Sequence, residues 1–306
     1  LMYGPKVTVL GGVAMDLILR TERFPKPDEN ILAKDIIELP GGSAANVAVG
    51  LARLGVKSGF MGKVGDDRYG RMLLEDFKME GVDVRNFYIK KNARTAFTII
   101  AVNDRGERII FSVGGASLLE DPREINERYL KSSKFLYIGL SFPEVALKAI
   151  EYAEEAGIPK LLCLEETYSL WEKSSILKLV ARADFVSVNK REAAEFTNCK
   201  NVYSCGKKLL SYGPKAVIVT LGKRGCVVGR RGGFKKIPAF KTQVVDTTGA
   251  GDAFHAGLIF GLLKNMDLAD AAKIGNLAAA IKIRHLGART GMPKKSELEP
   301  FLSELI

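Results

Sequence analysis

Short runs of consecutive apolar residues alternate with stretches whose apolar positions recur every three or four, and this rhythm fills most of the 306-residue chain. Residues 7–10, 135–138, 160–164, 185–188 and 216–220 are four- or five-residue runs of the kind that strands buried on both faces require. Between them, 143–156, 170–180 and 190–197 carry helical spacing, and two longer helical patterns, 250–263 and 268–286, follow near the end. Such alternation predicts βαβ units: an α/β domain of three layers, helix–sheet–helix, with a mostly parallel central sheet. Two stretches break the rhythm. Residues 16–39 and 95–113 predict strands with no helix between them, and Asp104-Arg105-Gly106 marks a hairpin turn. The expectation is a single domain over residues 1–306, with a small β-sheet lid built from segments at about 17–39 and 95–113.

A hydrophobic share of 47% supports a sizeable core and excludes a disordered or fibrous chain. The net charge of +11 invites an anionic partner, either a phosphate ligand or a nucleic acid. The basic residues are scattered. Arg230-Arg231 and Lys235-Lys236 suit a solvated hairpin edge, so no nucleic-acid partner is expected. No apolar stretch reaches the ~18 residues of a membrane helix, the four cysteines form no C-x-x-C pair, and no signal peptide is expected before the first strand. A soluble, cytoplasmic protein without membrane partners is expected.

The chemistry concentrates in Asp246-Thr247-Thr248-Gly249-Ala250-Gly251-Asp252, directly before a helical pattern. Small residues at a helix start expose backbone N–H groups to an anion, which the helix dipole also favours. Asp252 would repel that anion, and two readings meet there. It caps the helix, or it takes a proton from a substrate hydroxyl while the amides of Gly249, Ala250 and Gly251 hold a phosphoryl group. A second glycine-rich stretch runs from Gly41-Gly42 through Asn46 to Gly65, with Asp16 just after the first strand. An amide and a carboxylate of this kind suit sugar hydroxyls. His255, one helical turn beyond Asp252, is expected to be a packed or surface residue.

Taken together these residues resemble the ribokinase (PfkB carbohydrate kinase) family. Both signatures, Gly41–Gly65 and 246–252, stand at the expected spacing, with Asn189-Lys190-Arg191-Glu192 and Thr220-Leu221-Gly222-Lys223-Arg224-Gly225 between them in the expected order. The resemblance implies a ribokinase-like fold and an ATP-dependent kinase with Asp252 as general base. It implies that Asp16, Gly42, Asn46 and a lid residue, Phe97, bind the acceptor. Asn189, Thr220, Gly222, Gly225 and Asn276 would bind the nucleotide, and Glu192 would hold Mg²⁺ through water. Asp246 matches an aspartate that, with main-chain carbonyls of a segment like 284–291, binds a monovalent cation such as K⁺ in this family, although Gly291 stands where ribokinase has a serine. A homodimer formed through the lid is also implied.

The acceptor is left between two classes. Ser43 and Ala14 stand where ribokinase itself carries a lysine and an asparagine. A sugar with a free hydroxymethyl group, such as ribose or fructose, is the first choice and a nucleoside the alternative. A dinucleotide oxidoreductase is excluded by the absence of G-x-G-x-x-G, and a P-loop enzyme because no Gly-Lys pair precedes Ser or Thr. Outside the enzymes, the alternative is a non-catalytic nucleotide or sugar sensor.

Overall fold

The structure is a computed structural model that describes residues 4–302. Its strands are β1 (Val7–Leu10), β2 (Ala14–Arg20), β3 (Asp35–Gly41), β4 (Ser58–Gly65), β5 (Phe87–Lys90), β6 (Phe97–Val102) and β7 (Arg108–Val113). They continue as β8 (Phe135–Ile138), β9 (Lys160–Leu164), β10 (Phe185–Asn189), β11 (Ala216–Thr220), β12 (Cys226–Arg230) and β13 (Gly233–Ile237). The large sheet has the order β13-β12-β11-β10-β9-β8-β1-β4-β5 and is parallel except where β12 meets β11 and β13. Alternate residues of one strand enter opposite cores. Val7, Val9, Leu161 and Cys163 pack under helices Ser43–Arg53, Ala250–Leu263 and Leu268–Lys282. Leu10, Leu162 and Leu164 face the other layer, with Pro143–Glu155 and Lys173–Arg182. The three-layer α/β fold with a mostly parallel central sheet, expected from the periodicity, is present.

Two helix limits differ from the periodicity. The 170–180 pattern starts at Lys173, because Glu166–Leu170 forms a 3₁₀ turn in front of it. The 268–286 pattern stops at Lys282, and the chain turns at Gly287 with φ 82°.

The small sheet has the order β3-β2-β6-β7, with β2 and β6 side by side and parallel. The expected hairpin joins β6 to β7; Asn103 Oδ1 accepts from the backbone N–H groups of Arg105 and Glu107. Register sets the two faces. Asp16, Ile18, Ile37, Thr98, Ile100 and Ile110 share one, and Leu17, Leu19, Ile36, Ile99 and Phe111 share the other. Arg108, on the same face as Asp16, reaches Thr248 Oγ1 at 2.8 Å, so this face looks into the cleft. The opposite face leaves Ile36 and Phe111 more than half exposed.

The small sheet joins the core at Gly41-Gly42, where β3 runs into helix Ser43–Arg53. Gly42 has φ 93°, and a Cβ there would lie 2.7 Å from Val13 Cα and 2.8 Å from Gly12 O. A side chain meets both backbone strain and rigid atoms. Gly42→Ala is therefore expected to cost about 1–3 kcal/mol, measurable as a lowered midpoint in urea unfolding.

Candidate active site

Helix Ala250–Leu263 begins behind Gly249, whose φ is 77°, and no side chain caps its N-terminus. Ala250 N–H donates to Thr247 O at 3.2 Å, and no side chain takes the N–H groups beside it, which a ligand can reach. A Cβ on Gly249 would run into Ala288 O, whereas Gly251 faces open space. Asp252 does not cap this helix. Its Oδ1 accepts from Ser43 Oγ and its Oδ2 from Asn46 Nδ2, each at 2.8 Å. Burial raises the Asp252 carboxyl above the ordinary value; these two donors and the charges of Arg289 and Lys282 oppose that rise.

Asn46 is itself buried and fixed from behind. Arg289 Nε donates to its Oδ1 at 3.1 Å, which leaves the amide nitrogen to face Asp252. Arg289 also donates to Gly41 O at 3.2 Å and pairs with Asp76. Asp16 lies alongside. A Cβ on Gly41 would fall within 2.3 Å of its carboxylate, so the glycine makes the room it needs. Burial pushes the Asp16 carboxyl up to about 6, against the pull of Arg289 and a hydrogen bond from Thr98. Phe97 is not brought to Asp16. Register pairs it with Met15 on the other face of the strand, and its ring packs near Tyr69, so Thr98 is the β6 residue beside the carboxylate.

Thr220, Gly222, Gly225 and Asn276 converge on one cavity of about 600 Å³, which Ala250, Gly251, Phe254, Ala279 and Ile283 also line. Asn276 Nδ2 donates to Ile237 O and Pro238 O, so the side chain holds the cavity wall. Asn189 and Glu192 form a capping box on helix Lys190–Thr197, each side chain accepting from the other's backbone N–H. Glu192 also lines a smaller cavity of about 250 Å³ with Glu165 and Trp171. The Glu165 carboxyl is pushed up to about 7 by burial and by the Asp252 charge. Among the described residues, no three His, Cys, Asp or Glu side chains could hold a metal ion together. Asn189 and Glu192 offer one amide and one carboxylate, a pair that would suit a divalent cation keeping its own waters.

Asp246 is fully engaged by the protein. Its Oδ1 accepts from Thr248 N and Oγ1 and its Oδ2 from Gly287 N, and these bonds with the Lys282 charge outweigh burial to hold its carboxyl below the usual range. Lys282 is wholly buried, and its Nζ donates to Asp246 O at 3.0 Å and His285 O at 3.4 Å. Burial lowers the Lys282 pKa, while Asp246 and Asp252 hold it up. A carboxylate and carbonyls already ligated in this way do not fit an added monovalent cation.

His255 is a packed residue. It bonds Tyr137 Oη and Ser187 Oγ across the sheet, and burial brings its imidazole down to about 4. Sequence reasoning missed Arg289, Lys282 and Glu165. The one available signal is that Lys282 stands within an apolar run, Leu277-Ala278-Ala279-Ala280-Ile281 before it and Ile283 after it.

An open helix N-terminus with an oriented carboxylate beside a nucleotide-sized cavity defines a phosphotransferase site. The pfkB family of carbohydrate kinases matches residues 5–295, and the chain belongs to it; its members are carbohydrate or nucleoside kinases. The chain is 31% identical to the ribokinase of Lactococcus lactis over 98% of both chains. The crystal structure of ribokinase from Thermotoga maritima superposes with a TM-score of 0.87 at 27% identity, covering 98% of this chain and 99% of that one. The nucleoside kinase of Methanocaldococcus jannaschii gives a TM-score of 0.84 at 25% identity over 99% of both.

The raised Asp16 pKa is a stability cost. Its folded value of about 6 exceeds the ordinary 3.8, so stability falls as pH rises between these values and the penalty persists above pH 6. Asp16→Asn removes a burden on the order of 2–3 kcal/mol. Its thermal midpoint at pH 8 is expected to exceed the parent's by a few degrees, with the gain vanishing near pH 4.

Proposed function

We propose that this chain is an ATP-dependent kinase that transfers the γ-phosphoryl group to a hydroxymethyl group of a sugar such as ribose or fructose. The observation that carries the reading is the Asp252 carboxylate, aimed by Ser43 and Asn46 at the mouth of an uncapped helix. In this reading Asp252 accepts the proton of the acceptor hydroxyl as its oxygen attacks the γ-phosphorus. The bond from that phosphorus to the β,γ-bridging oxygen breaks, and the amides of Gly249, Ala250 and Gly251 carry the charge on the moving group. Thr220, Gly222, Gly225 and Asn276 hold the nucleotide, and Asp16, Gly42 and Asn46 hold the acceptor. Asn189 and Glu192 steady Mg²⁺ through water; when bound, it screens the triphosphate charge. Arg108 and the face above it close the cleft against water.

A nucleoside acceptor is favoured by one observation. The cleft-facing side of the small sheet offers Ile18, Ile37, Ile100 and Ile110, an apolar roof suited to a base more than to hydroxyls. The opposite face, with Ile36, Ile109 and Phe111 exposed, supports a homodimer through the lid. No helix among the described residues is long and apolar enough to cross a membrane, and we place the enzyme in the cytoplasm.

Asp252→Asn is expected to lower turnover by about 10²-fold or more while nucleotide binding, read by calorimetry, survives. Unchanged turnover would remove Asp252 from the role of base. A coupled assay over ribose, fructose, 2-keto-3-deoxygluconate and several nucleosides, with ATP and ADP each as donor, identifies the pair. Flat rates throughout would favour the sensor. For the dimer, Ile36→Lys with Phe111→Glu is expected to yield monomers by light scattering.

A further inference from the structure

Lys282 ends the helix Leu268–Lys282, whose Asn276, Ala279 and Ala280 line one cavity with Ala250 and Gly251. Its side chain is wholly buried, and its ammonium group donates to two main-chain carbonyls, those of Asp246 and His285. These belong to the two segments, one at Asp246 and the other within 284–291, whose carbonyls would have to turn inward to ligate a monovalent cation. The surrounding bonds leave no slack. Asp246 N and Val245 N both donate to Ile283 O, and Gly287 N donates to Asp246 Oδ2. Gly249, the first residue of the anion hole, closes on Ala288 O so tightly that a Cβ would come within 2.3 Å. A second departure accompanies the lysine. At Gly291 a Cβ would lie 2.6 Å from Lys282 O and 2.7 Å from His285 Cβ, so no serine fits there.

We propose that the Lys282 ammonium is a built-in cation that takes the place of an exchangeable monovalent ion behind the anion hole, and that phosphoryl transfer in this chain needs no K⁺. The inference rests on the kinase reading above. A compact ammonium has a charge and a radius close to those of K⁺, and it carries three donors for carbonyl oxygens. Held at Asp246 O, it fixes the peptide planes leading into Gly249, and its charge is felt at Asp252. Lys282 is thus a positioning residue that acts through the turn. Because it is tethered, its occupancy does not depend on the salt around the protein.

The test compares turnover in KCl, NH₄Cl, NaCl and choline chloride at one ionic strength, for the parent, Lys282→Ala and Lys282→Met. Parent rates are expected to agree within about two-fold, as zero coupling between salt and site requires. Lys282→Ala, which vacates the site, is expected to lose about 10²-fold in choline or sodium and to regain roughly ten-fold or more in K⁺ or NH₄⁺. Lys282→Met fills the space with an apolar chain and is expected to stay low in every salt. Thermal midpoints give a readout independent of activity: K⁺ is expected to raise that of Lys282→Ala over choline and to leave the parent unchanged. Several-fold activation of the parent by K⁺, or a folded Lys282→Ala whose rate and midpoint ignore K⁺, would overturn the proposal. Absence of turnover with every acceptor in every salt would instead sink the kinase reading, and the midpoints would still decide this one. If Lys282→Ala does not fold, the parent's response to K⁺ decides alone.

Discussion

The site depends on keeping two aspartates, Asp16 and Asp252, close together in a half-dry cleft. Burial raises both carboxyls, and the Asp252 charge raises that of Asp16 further. Two buried cations offset this. Arg289 acts on both carboxylates, and Lys282 acts on Asp252 from behind the turn. Removing either cation is expected to cost about 3–5 kcal/mol, because a buried carboxylate is then left without compensation. The arrangement is therefore cooperative. Arg289 joins Gly41 and Asn46 to Asp76, all more than 200 positions from it in the chain, while Arg53 holds the backbone around it by donating to the carbonyls of Arg289, Thr290 and Met292.

Topology brings these groups to one place. The parallel strands of the large sheet end on the side where β1 hands over, through Gly11-Gly12, to β2 of the small sheet. A ligand above those ends meets helix N-termini and loops from several crossovers, as open α/β sheets generally provide. Because β2 is both the continuation of β1 and the centre of the small sheet, Asp16 belongs to the lid by backbone and to the core by its burial. Any movement of that sheet is thus carried directly to Asp16. Arg108 ties the same sheet to Thr248, beside the turn at Gly249.

Much of this was legible along the chain because it rests on local periodicity. The apolar runs at 7–10 and 216–220 are strands in the structure, and the 250–263 pattern is a helix with those limits. Helix ends were less legible. Ile283 and Leu286 continue the 268–286 spacing, but a main-chain bond from Asp246 to Ile283 O and the turn at Gly287 end the helix first. Glycine patterns exposed Asp252 and Asp16 for the same local reason. Arg289 and Lys282 were hidden, since a basic residue near a helix end or in a closing loop ordinarily faces water. Only contacts with residues 243 and 36 positions away show that these two do not. Phe97 fails on register, which sequence spacing alone does not set: one residue's displacement along β6 exchanges it for Thr98.

Hydrogen-bond accounting narrows what can select a substrate. Asn276 is committed to Ile237 and Pro238, Asn46 to Arg289 and Asp252, and Asp246 to Thr248 and Gly287. Asn189 and Glu192 complete each other's helix cap. Polar groups spent in this way shape the site and can spare only a remaining proton or lone pair for a ligand. Discrimination then falls to the groups less committed to the fold: Asp16 beside Thr98, the open approach at Gly251, and the apolar face of the small sheet. Conversely, the residues fixed most tightly by the protein surround Asp252 and the turn at Gly249, and dipoles held in this way need not reorganise when charge develops beside them.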